Sequence, residues 1–256
     1  MSTNPYAAPN AEVADVAAPG SDSNFIEEGR AVSAGRGLNW LIDAWALFKE
    51  QPVVWLLQFG ATALLMIIVA FIPIIGQLAI SLAMPVILAG IMLGARQVEE
   101  GEQLAFGTVF AGFKQHLGSL LLLGVCGMIG SFAAMLIAFG IAGVGYGVMG
   151  ATGDMGGSFM AIMLGALIAM ALMIPLYMAL WFGPALVMLN DYTVVDAIKT
   201  SFFACLKNIL PFLVYGVLLF ILFAVASIPF GLGFILAIPL AGLAVYRSYR
   251  DIFYEG

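Results

Sequence analysis

The sequence predicts an all-α, polytopic membrane protein with six transmembrane helices in three repeats, each an interfacial amphipathic helix followed by a helical hairpin. Hydrophobic residues make up 63% of the 256 residues and charged residues only 9%, whereas about a quarter of residues are charged in soluble domains. Six long apolar runs follow one another, and a lysine followed by a polar residue precedes three of them. These observations indicate a membrane domain with internal repetition.

The first 34 residues differ from the rest. They are rich in Ala, Pro, Ser and Asn, show no hydrophobic periodicity and hold five acidic residues against Arg30 alone, so residues 1–34 are predicted to be a disordered cytoplasmic tail. No basic segment with a short apolar run opens the chain, so we expect the tail to remain in the mature protein. The stretch "NPYAAP" is either a docking motif for a partner or a spacer; its candidate binding residues are Asn4, Pro5, Tyr6 and Pro9.

Residues 35–256 are predicted to form the transmembrane domain. Its apolar stretches lie near 53–72, 74–95, 118–142, 158–189, 209–228 and 232–247, and about 20 apolar residues in a helix cross the hydrocarbon core. Lipid cannot hydrogen-bond an open strand edge, which favours helices over strands. Pro175 and Pro184 predict a kink or tilt in the fourth span. The sixth span is short.

The cations predict the orientation of these spans. When six spans are threaded up and down, all nine fall on one side, which by the positive-inside rule makes both termini cytoplasmic. The outer connections then lie near 72–76, 143–157 and 228–233, and Asp154 is the only charge among them. The nine cations are Arg30, Arg36, Lys49, Arg96, Lys114, Lys199, Lys207, Arg247 and Arg250.

Ahead of three of the lysines, apolar residues recur at the i, i+3, i+4, i+7 spacing of an amphipathic helix. These segments are too short to span, so each is predicted to lie in the headgroup plane with its lysine reaching water. The repeat units are about 36–100, 103–192 and 193–254, and the first and third share an Ile-Pro turn and a later mid-helix proline. The predicted interfacial anchors are Trp45, Phe48, Lys49, Phe110, Phe113, Lys114, Phe202 and Lys207.

No catalytic, cofactor or metal site is predicted. Apart from Arg247 at the end of the sixth, the predicted spans hold no acidic or basic side chain, which disfavours ion-coupled transport. An intramembrane aspartyl protease needs two neighbouring carboxylates, but Asp154 and Asp191 are predicted on opposite sides of the membrane. Cys126, Cys205 and the lone His116 are too few for a metal cluster, and no disulfide is expected. The acidic balance, a formal charge of −6, argues against nucleic acid as a partner.

The stretches "GRGLNWLIDAWALFKEQPVVW", "IPIIGQLAISLAMPVILAGIMLGARQVEEGE" and "FAGFK", behind the "NPYAAP" tail, resemble a group of proteobacterial inner-membrane proteins. These are distantly similar to YciC-like proteins and to the membrane domain found beside some glycerophosphodiester phosphodiesterases. The resemblance covers residues from about 35 to 115 well and the rest mainly by hydropathy. It implies a bacterial inner-membrane location and six helices, and it implies no particular activity.

Two function classes remain open after these exclusions. The first is a non-enzymatic membrane scaffold or assembly factor that works through helix contacts and its cytoplasmic face. The second is a carrier or exporter of a lipid or another apolar solute, because apolar cargo needs no charge inside the membrane. In both classes the lipid bilayer is the expected surrounding, and the tail is the expected site for a protein partner.

Overall fold

The computed structural model describes residues 24–153 and 155–255. The predicted docking motif, Asn4, Pro5, Tyr6 and Pro9, and the predicted outer charge Asp154 lie outside these ranges. Within them the chain forms helices α1 (Arg36–Glu50), α2 (Pro52–Ala70), α3 (Ile75–Glu99), a 3-10 helix η1 (Phe106–Phe113), α4 (Leu117–Thr152), α5 (Met155–Leu180), α6 (Gly183–Asn190), α7 (Val194–Lys207), α8 (Ile209–Ser227) and α9 (Phe234–Phe253).

Five helical segments of the described chain are long and apolar enough to cross a membrane: Pro52–Ala70, Ile75–Glu99, Leu117–Gly147, Gly156–Asn190 and Ile209–Ser227. The predicted sixth span, α9, is not among them. Its apolar part ends at Tyr246, about 20 Å from Phe234 at 1.5 Å per residue, and Arg247, Arg250 and Asp251 follow. The all-helical membrane class is therefore confirmed, and the sixth span stays a prediction.

The region of the predicted outer connection, 143–157, is helical for most of its described length, and its place outside the membrane stays a prediction. Helix α4 continues to Thr152, and α5 begins at Met155. Gly145 allows close helix packing here: a Cβ added to it would lie 2.4 Å from the Cβ of Ala161, and Ser158 Oγ donates to its carbonyl at 2.9 Å. Small residues at helix contacts have this role in membranes, whereas an added Cβ would meet nothing within 4 Å at Gly143, Gly147 or Gly153.

The fourth span, where Pro175 and Pro184 predicted a kink or tilt, is interrupted before Pro184. Helix α5 ends at Leu180 and α6 begins at Gly183 with Pro184 in its first turn, whereas Pro175 lies inside α5. Ser201 of α7 bonds both sides of the break: its Oγ accepts from the Phe182 amide at 3.0 Å and donates to the Met178 carbonyl at 2.7 Å. Such side-chain bonds compensate backbone groups that a broken helix leaves free.

The close-packed core lies at one end of the bundle, which we call the polar end because the ion pairs described below lie there. Trp40, Trp55, Phe182 and Tyr249 are fully buried in it. At the opposite end, apolar side chains at the turns are exposed, with Phe71 at 82% and Phe230 at 103%. Exposed apolar surface of this extent is what lipid covers in a membrane protein.

The three short segments predicted to be amphipathic, α1, η1 and α7, pack on hairpins of other predicted units. Helix α1 contacts α8 and α9, η1 contacts α2 and α3, and α7 contacts α5 and α6. Two of these contacts need glycine, because a Cβ on Gly37 would lie 2.3 Å from the Pro211 carbonyl oxygen and one on Gly90 would lie 2.1 Å from that of Val109. The second segment is a 3-10 helix of eight residues rather than the predicted α-helix.

Residues 24–34, predicted to be part of the disordered tail, pack against the C-terminal helix. The Ile26 amide donates to the Phe253 carbonyl and the Arg30 amide to that of Ile252, both at 2.8 Å. Phe25 forms a β-bridge with Tyr254 and stacks on the Phe253 ring at 5.9 Å. The folded unit thus includes chain from Asn24 onward, which corrects the predicted boundary at residue 34.

Candidate functional site

A pocket of about 490 Å³ opens at the polar end between residues 30–33, the start of α1, the end of α3 and the C-terminal part of α9. We call it the arginine pocket, because four of the five arginines in the sequence line it and none of the four lysines do. The four are Arg30, Arg36, Arg247 and Arg250, and the carboxylates of Asp43, Glu99, Asp251 and Glu255 also line it.

Asp251 organises one side of the arginine pocket. Its side chain is only 5% exposed, and a buried carboxylate requires hydrogen-bond partners. One oxygen accepts from Arg36 Nε at 2.7 Å and from the Trp40 indole at 2.8 Å. The other faces Arg30 Nη2 at 3.3 Å, while Arg30 Nε donates to the Asp251 carbonyl at 2.8 Å. Asp251 therefore joins the segment before α1, α1 itself and α9.

Glu99, at the last turn of α3, organises the other side. Its carboxylate accepts from the Tyr246 hydroxyl at 2.5 Å and from Arg247 Nη1, and it forms an ion pair with Arg250, whose Nε lies 3.0 Å away. Arg247 Nη2 lies 3.9 Å from an Asp43 carboxylate oxygen on α1. Three helices that are far apart in sequence thus meet through carboxylates, which fixes the guanidinium groups around the pocket.

These contacts keep two of the arginines charged. The hydrogen bond from Arg36 to Asp251 raises the pKa of the guanidinium against the opposing effect of burial. At Arg250, burial is the largest single effect and lowers the pKa, but Glu99 together with Tyr246, Tyr254 and Tyr249 outweighs it electrostatically, so the pKa is raised. The pocket therefore presents guanidinium cations throughout the physiological pH range.

An aromatic layer supports Arg250 and the end of α9. The guanidinium carbon of Arg250 lies 4.0 Å from the Tyr254 ring centroid, a cation–π distance. The Tyr254 hydroxyl accepts from Asn190 Nδ2 at 3.2 Å, and Tyr249 donates to the oxygen of the same amide. Asn190 ends α6, so the arginine pocket is also connected to the second predicted unit.

A second polar anchor lies behind the pocket at Asn208, between α7 and α8. This fully buried side chain accepts from the Val32 amide at 2.8 Å and donates to the Arg30 carbonyl at 2.9 Å. Gln51 holds another loop in a similar way, since its amide bonds the Glu102 carbonyl and the Leu104 amide. Both residues precede a spanning helix, and both side chains hold a distant chain segment.

The predicted interfacial anchors are distributed over three segments and do not meet at one site. On α1, Trp45 is 42% exposed, stacks on Phe48 at 5.6 Å and lies 6.0 Å from Lys49 Nζ. Phe48 itself is 3% exposed, so it packs inside the protein rather than facing lipid. On η1, Phe113 is 43% exposed, whereas Phe110 is half-buried beside it.

The anchors of the third segment and His116 have partners that sequence did not predict. Phe202 is half-buried against Phe203 at 5.5 Å. Lys207 Nζ donates to the Glu28 carbonyl at 3.0 Å and lies 3.6 Å from the Glu28 carboxylate. His116 Nε2 lies 3.2 Å from Asp191, and Lys114 is exposed nearby in the chain.

In the sequence, the arginines indicate only the orientation of the spans, and no pattern predicts that four of them form a cluster. One local signal was present: Glu99 closes α3, and Arg247, Arg250 and Asp251 share the last two turns of α9 at helical spacing. Nothing in the sequence links those turns to Arg30 and Arg36, which lie more than two hundred residues away.

The described chain is thus an all-helical membrane protein with a charged cluster at one end. It is similar to a probable inner membrane protein of Burkholderia thailandensis, with 29% identity over 217 residues that cover 78% of this chain and 77% of the relative. No family model matches the chain, so the resemblance to YciC-like proteins and to phosphodiesterase membrane domains stays a prediction. No solved structure matches it either.

Proposed function

We propose that the protein is a non-enzymatic bacterial inner-membrane scaffold or interaction factor that offers a preformed platform at its polar end. One observation carries this proposal: the ion-paired end joins residues 30–36, α3 and α9 through Asp251 and Glu99. A surface held by buried polar contacts stays in place and can be recognised by a partner without a folding cost. The inner-membrane location is supported by the name of the relative in Burkholderia thailandensis.

The proposed topology has six spans, with α9 as the sixth, and both termini in the cytoplasm. It is supported by the ion pairs of Arg30, Arg36, Arg247 and Arg250, which gather at one end, as the positive-inside rule requires for a cytoplasmic face. The proposed threefold repeat is supported by the cyclic contacts of the short segments, each of which packs on the hairpin of the preceding unit.

Single cysteines test the orientation. In a background without Cys126 and Cys205, Ala151→Cys at the exposed end of α4 should react with an impermeant maleimide added to intact cells. Glu102→Cys, in the exposed loop after α3, should react only after the membrane is opened. The reverse labelling pattern would overturn the proposed topology.

A carrier of lipid or apolar solute is the second candidate, and one feature favours it. A groove of about 370 Å³ between α4 and α5 has an almost entirely apolar lining that includes Ala134, Ala138, Ala166 and Ala169. The groove opens sideways from the helix pair, where lipid lies in a membrane. An acyl chain would fit its chemistry, but the groove does not contact the arginine pocket.

Two measurements distinguish the scaffold from the carrier. A photo-crosslinking amino acid at exposed Val195 of α7 should give discrete protein adducts in cells, whereas the same group at exposed Val217 of α8 should give lipid adducts. Proteoliposomes should move a fluorescent phospholipid between leaflets no faster than protein-free liposomes. Faster movement that Ala138→Trp abolishes would favour the carrier over the scaffold.

The tail motif around Tyr6 is proposed as an additional partner contact, because an aromatic residue between prolines suits a shallow groove. Affinity purification in a mild detergent should then lose particular proteins when Tyr6→Ala replaces the wild type. A variant that changes Asn10 to Ala, just beyond the motif, serves as the control. Identical partner sets for all three proteins would assign the segment to a spacer.

A further inference from the structure

We propose that the arginine pocket binds the phosphate group of an anionic ligand. The proposal concerns a ligand site and is independent of whether the protein is a scaffold or a carrier. Three observations carry it: the segregation of arginine from lysine, the surplus of hydrogen-bond donors in the pocket, and the way in which carboxylates hold the guanidinium groups in place.

The segregation of the cations is the first observation. Four of five arginines line this pocket, while all four lysines and Arg96 lie elsewhere. Topology by itself needs only positive charge on the inner side, which either residue type supplies. Arginine differs because its planar fork binds phosphate and carboxylate in a bidentate manner. The use of arginine rather than lysine here therefore indicates that these side chains bind an anion with a defined geometry, in addition to orienting the spans.

The surplus of donors is the second observation. Each guanidinium has five N–H donors, yet Arg36 bonds Asp251 through Nε alone, and Arg250 meets Glu99 only as an ion pair, with Nε 3.0 Å from a carboxylate oxygen. Arg247 contributes one terminal nitrogen to Glu99, with Asp43 at the longer distance of 3.9 Å. Several N–H groups of each arginine are thus left for water or a ligand. Phosphate provides the acceptor oxygens that such a cluster would bind.

The fixed geometry is the third observation. Asp251 accepts a hydrogen bond from Arg36 Nε and Glu99 accepts one from Arg247 Nη1, so these two carboxylates set the direction of both guanidinium groups. Glu99 also forms an ion pair with Arg250, whose Nε lies 3.0 Å away. The side chains of the four arginines remain 26–38% exposed, so they can be reached from the open pocket. Glu255 also lines the pocket, but its side chain is exposed and forms no ion pair with these arginines among the described residues. A bound anion need not displace a buried contact.

The ligand has two sources that share this chemistry. The pocket lies at the polar end beside the ends of α3 and α9, and basic pockets between transmembrane helices bind phospholipid headgroups. A soluble phosphate compound could enter from the same side. The experiment therefore uses dioctanoyl-phosphatidylglycerol, dioctanoyl-phosphatidylcholine and inorganic phosphate as separate probes.

The first test uses the full-length wild-type protein in a neutral detergent. Phenylglyoxal modifies accessible arginines, and mass spectrometry reports the rate at each one. Dioctanoyl-phosphatidylglycerol or inorganic phosphate should slow the modification of Arg30, Arg36, Arg247 and Arg250 severalfold, while Arg96 stays unchanged as the internal control. Protection by the lipid alone assigns a headgroup, and equal protection by inorganic phosphate assigns a soluble phosphate. Absence of selective protection overturns the proposal.

The second test measures affinity by calorimetry with the probe that protects. Arg36→Lys and Arg247→Lys keep the positive charge but lose the planar, bidentate guanidinium group, so each should weaken binding of the probe about tenfold. Lys199→Gln removes a cation outside the pocket and should leave the affinity unchanged. If Lys199→Gln weakens binding as much as Arg247→Lys, or if dioctanoyl-phosphatidylcholine binds equally well, binding reflects general attraction and the site is refuted. A failed scaffold test would leave these results unaffected.

Discussion

At the scale of single residues, Asp251 shows how a charge can be structural in a protein with few charges. It is the only buried ionisable carboxylate among the described residues, and it receives donors from Arg30, Arg36 and Trp40. A buried ion pair adds little net stability over an apolar pair, but removal of one partner leaves the other uncompensated. Asp251 therefore acts mainly by determining which segments of the chain pack together, and it adds little net stability.

Asp251→Asn should destabilise the protein by about 3 kcal/mol, at the lower end for a broken buried pair because both arginines are partly exposed. The amide keeps the volume and loses the charge that holds the arginines. Unfolding in mixed detergent micelles with increasing SDS measures the change. Glu100→Gln, which breaks the exposed pair with Arg96, is the control and should cost less than about 1 kcal/mol. Equal effects would contradict the assigned role of Asp251.

Cys205 gives a second prediction at this scale. Burial raises the pKa of its thiol to about 12, so the thiol is protonated and poorly reactive at neutral pH. In a Cys126→Ser background, N-ethylmaleimide should label Cys205 slowly at pH 7.5 in the folded protein and rapidly after SDS denaturation. Because the folded pKa is raised, thiolate forms only as the pH approaches it. Fast labelling of the folded protein at neutral pH would show that α7 is open at this position.

At the scale of elements, the short helices α1, η1 and α7 pack on other helices of the protein. In the proposed topology they also contact the lipid headgroups. Val109 of η1 is fully buried against α3, while Phe106 and Phe113 remain 47% and 43% exposed. Periodicity predicts an apolar face but cannot say how it divides between a neighbouring helix and lipid. That division depends on close approach, which is set by glycines on the partner helix.

Gly90→Ala should displace η1 from α3, since the new Cβ would lie 2.1 Å from the Val109 carbonyl oxygen. Overpacking of this kind costs about 1–3 kcal/mol, and the thermal midpoint in detergent should fall accordingly. Gly60→Ala is the matched control: a Cβ there meets nothing within 4 Å, and alanine favours a helix over glycine. A stable Gly90→Ala variant with unchanged spin-label mobility at Ala111 would show that this contact does not hold η1.

At the scale of the whole molecule, the N-terminal segment closes the fold against the C-terminal helix. Phe25 packs among Tyr192, Phe253 and Tyr254, and Asn208 holds the backbone of residues 30–32. Residues 25–32 and the last turns of α9 thus pack together at the polar end of the bundle. A terminal segment contributes to stability only as far as its backbone and side chains are tied down.

Two deletions should separate the tail from the folded unit. Removal of residues 2–23 should leave the thermal midpoint of the membrane domain nearly unchanged, because it keeps Phe25, Ile26 and Arg30, which bind the end of α9. Removal of residues 2–32 should lower it by several degrees, because it deletes the ring of Phe25, the Arg30 ion pair and the Asn208 bonds. Equal midpoints for both deletions would contradict the structural role of residues 24–32.

The sequence by itself determined the all-helical membrane class and five of the predicted spans, and its prolines indicated an irregular fourth span, because each depends on local composition: apolar length for lipid and a missing backbone donor for proline. The wrong predictions also came from local composition. The acidic, proline-rich average of residues 1–34 concealed Phe25 and Arg30, and the predicted connection at 143–157 did not show that helix α4 continues to Thr152. Only the tertiary structure decided that Arg30 and Arg36 meet Asp251 and that Glu99 meets Arg247 and Arg250. Hydrogen bonds and ion pairs act over a few ångströms, so residues far apart in the chain form a site only where packing brings their helices together.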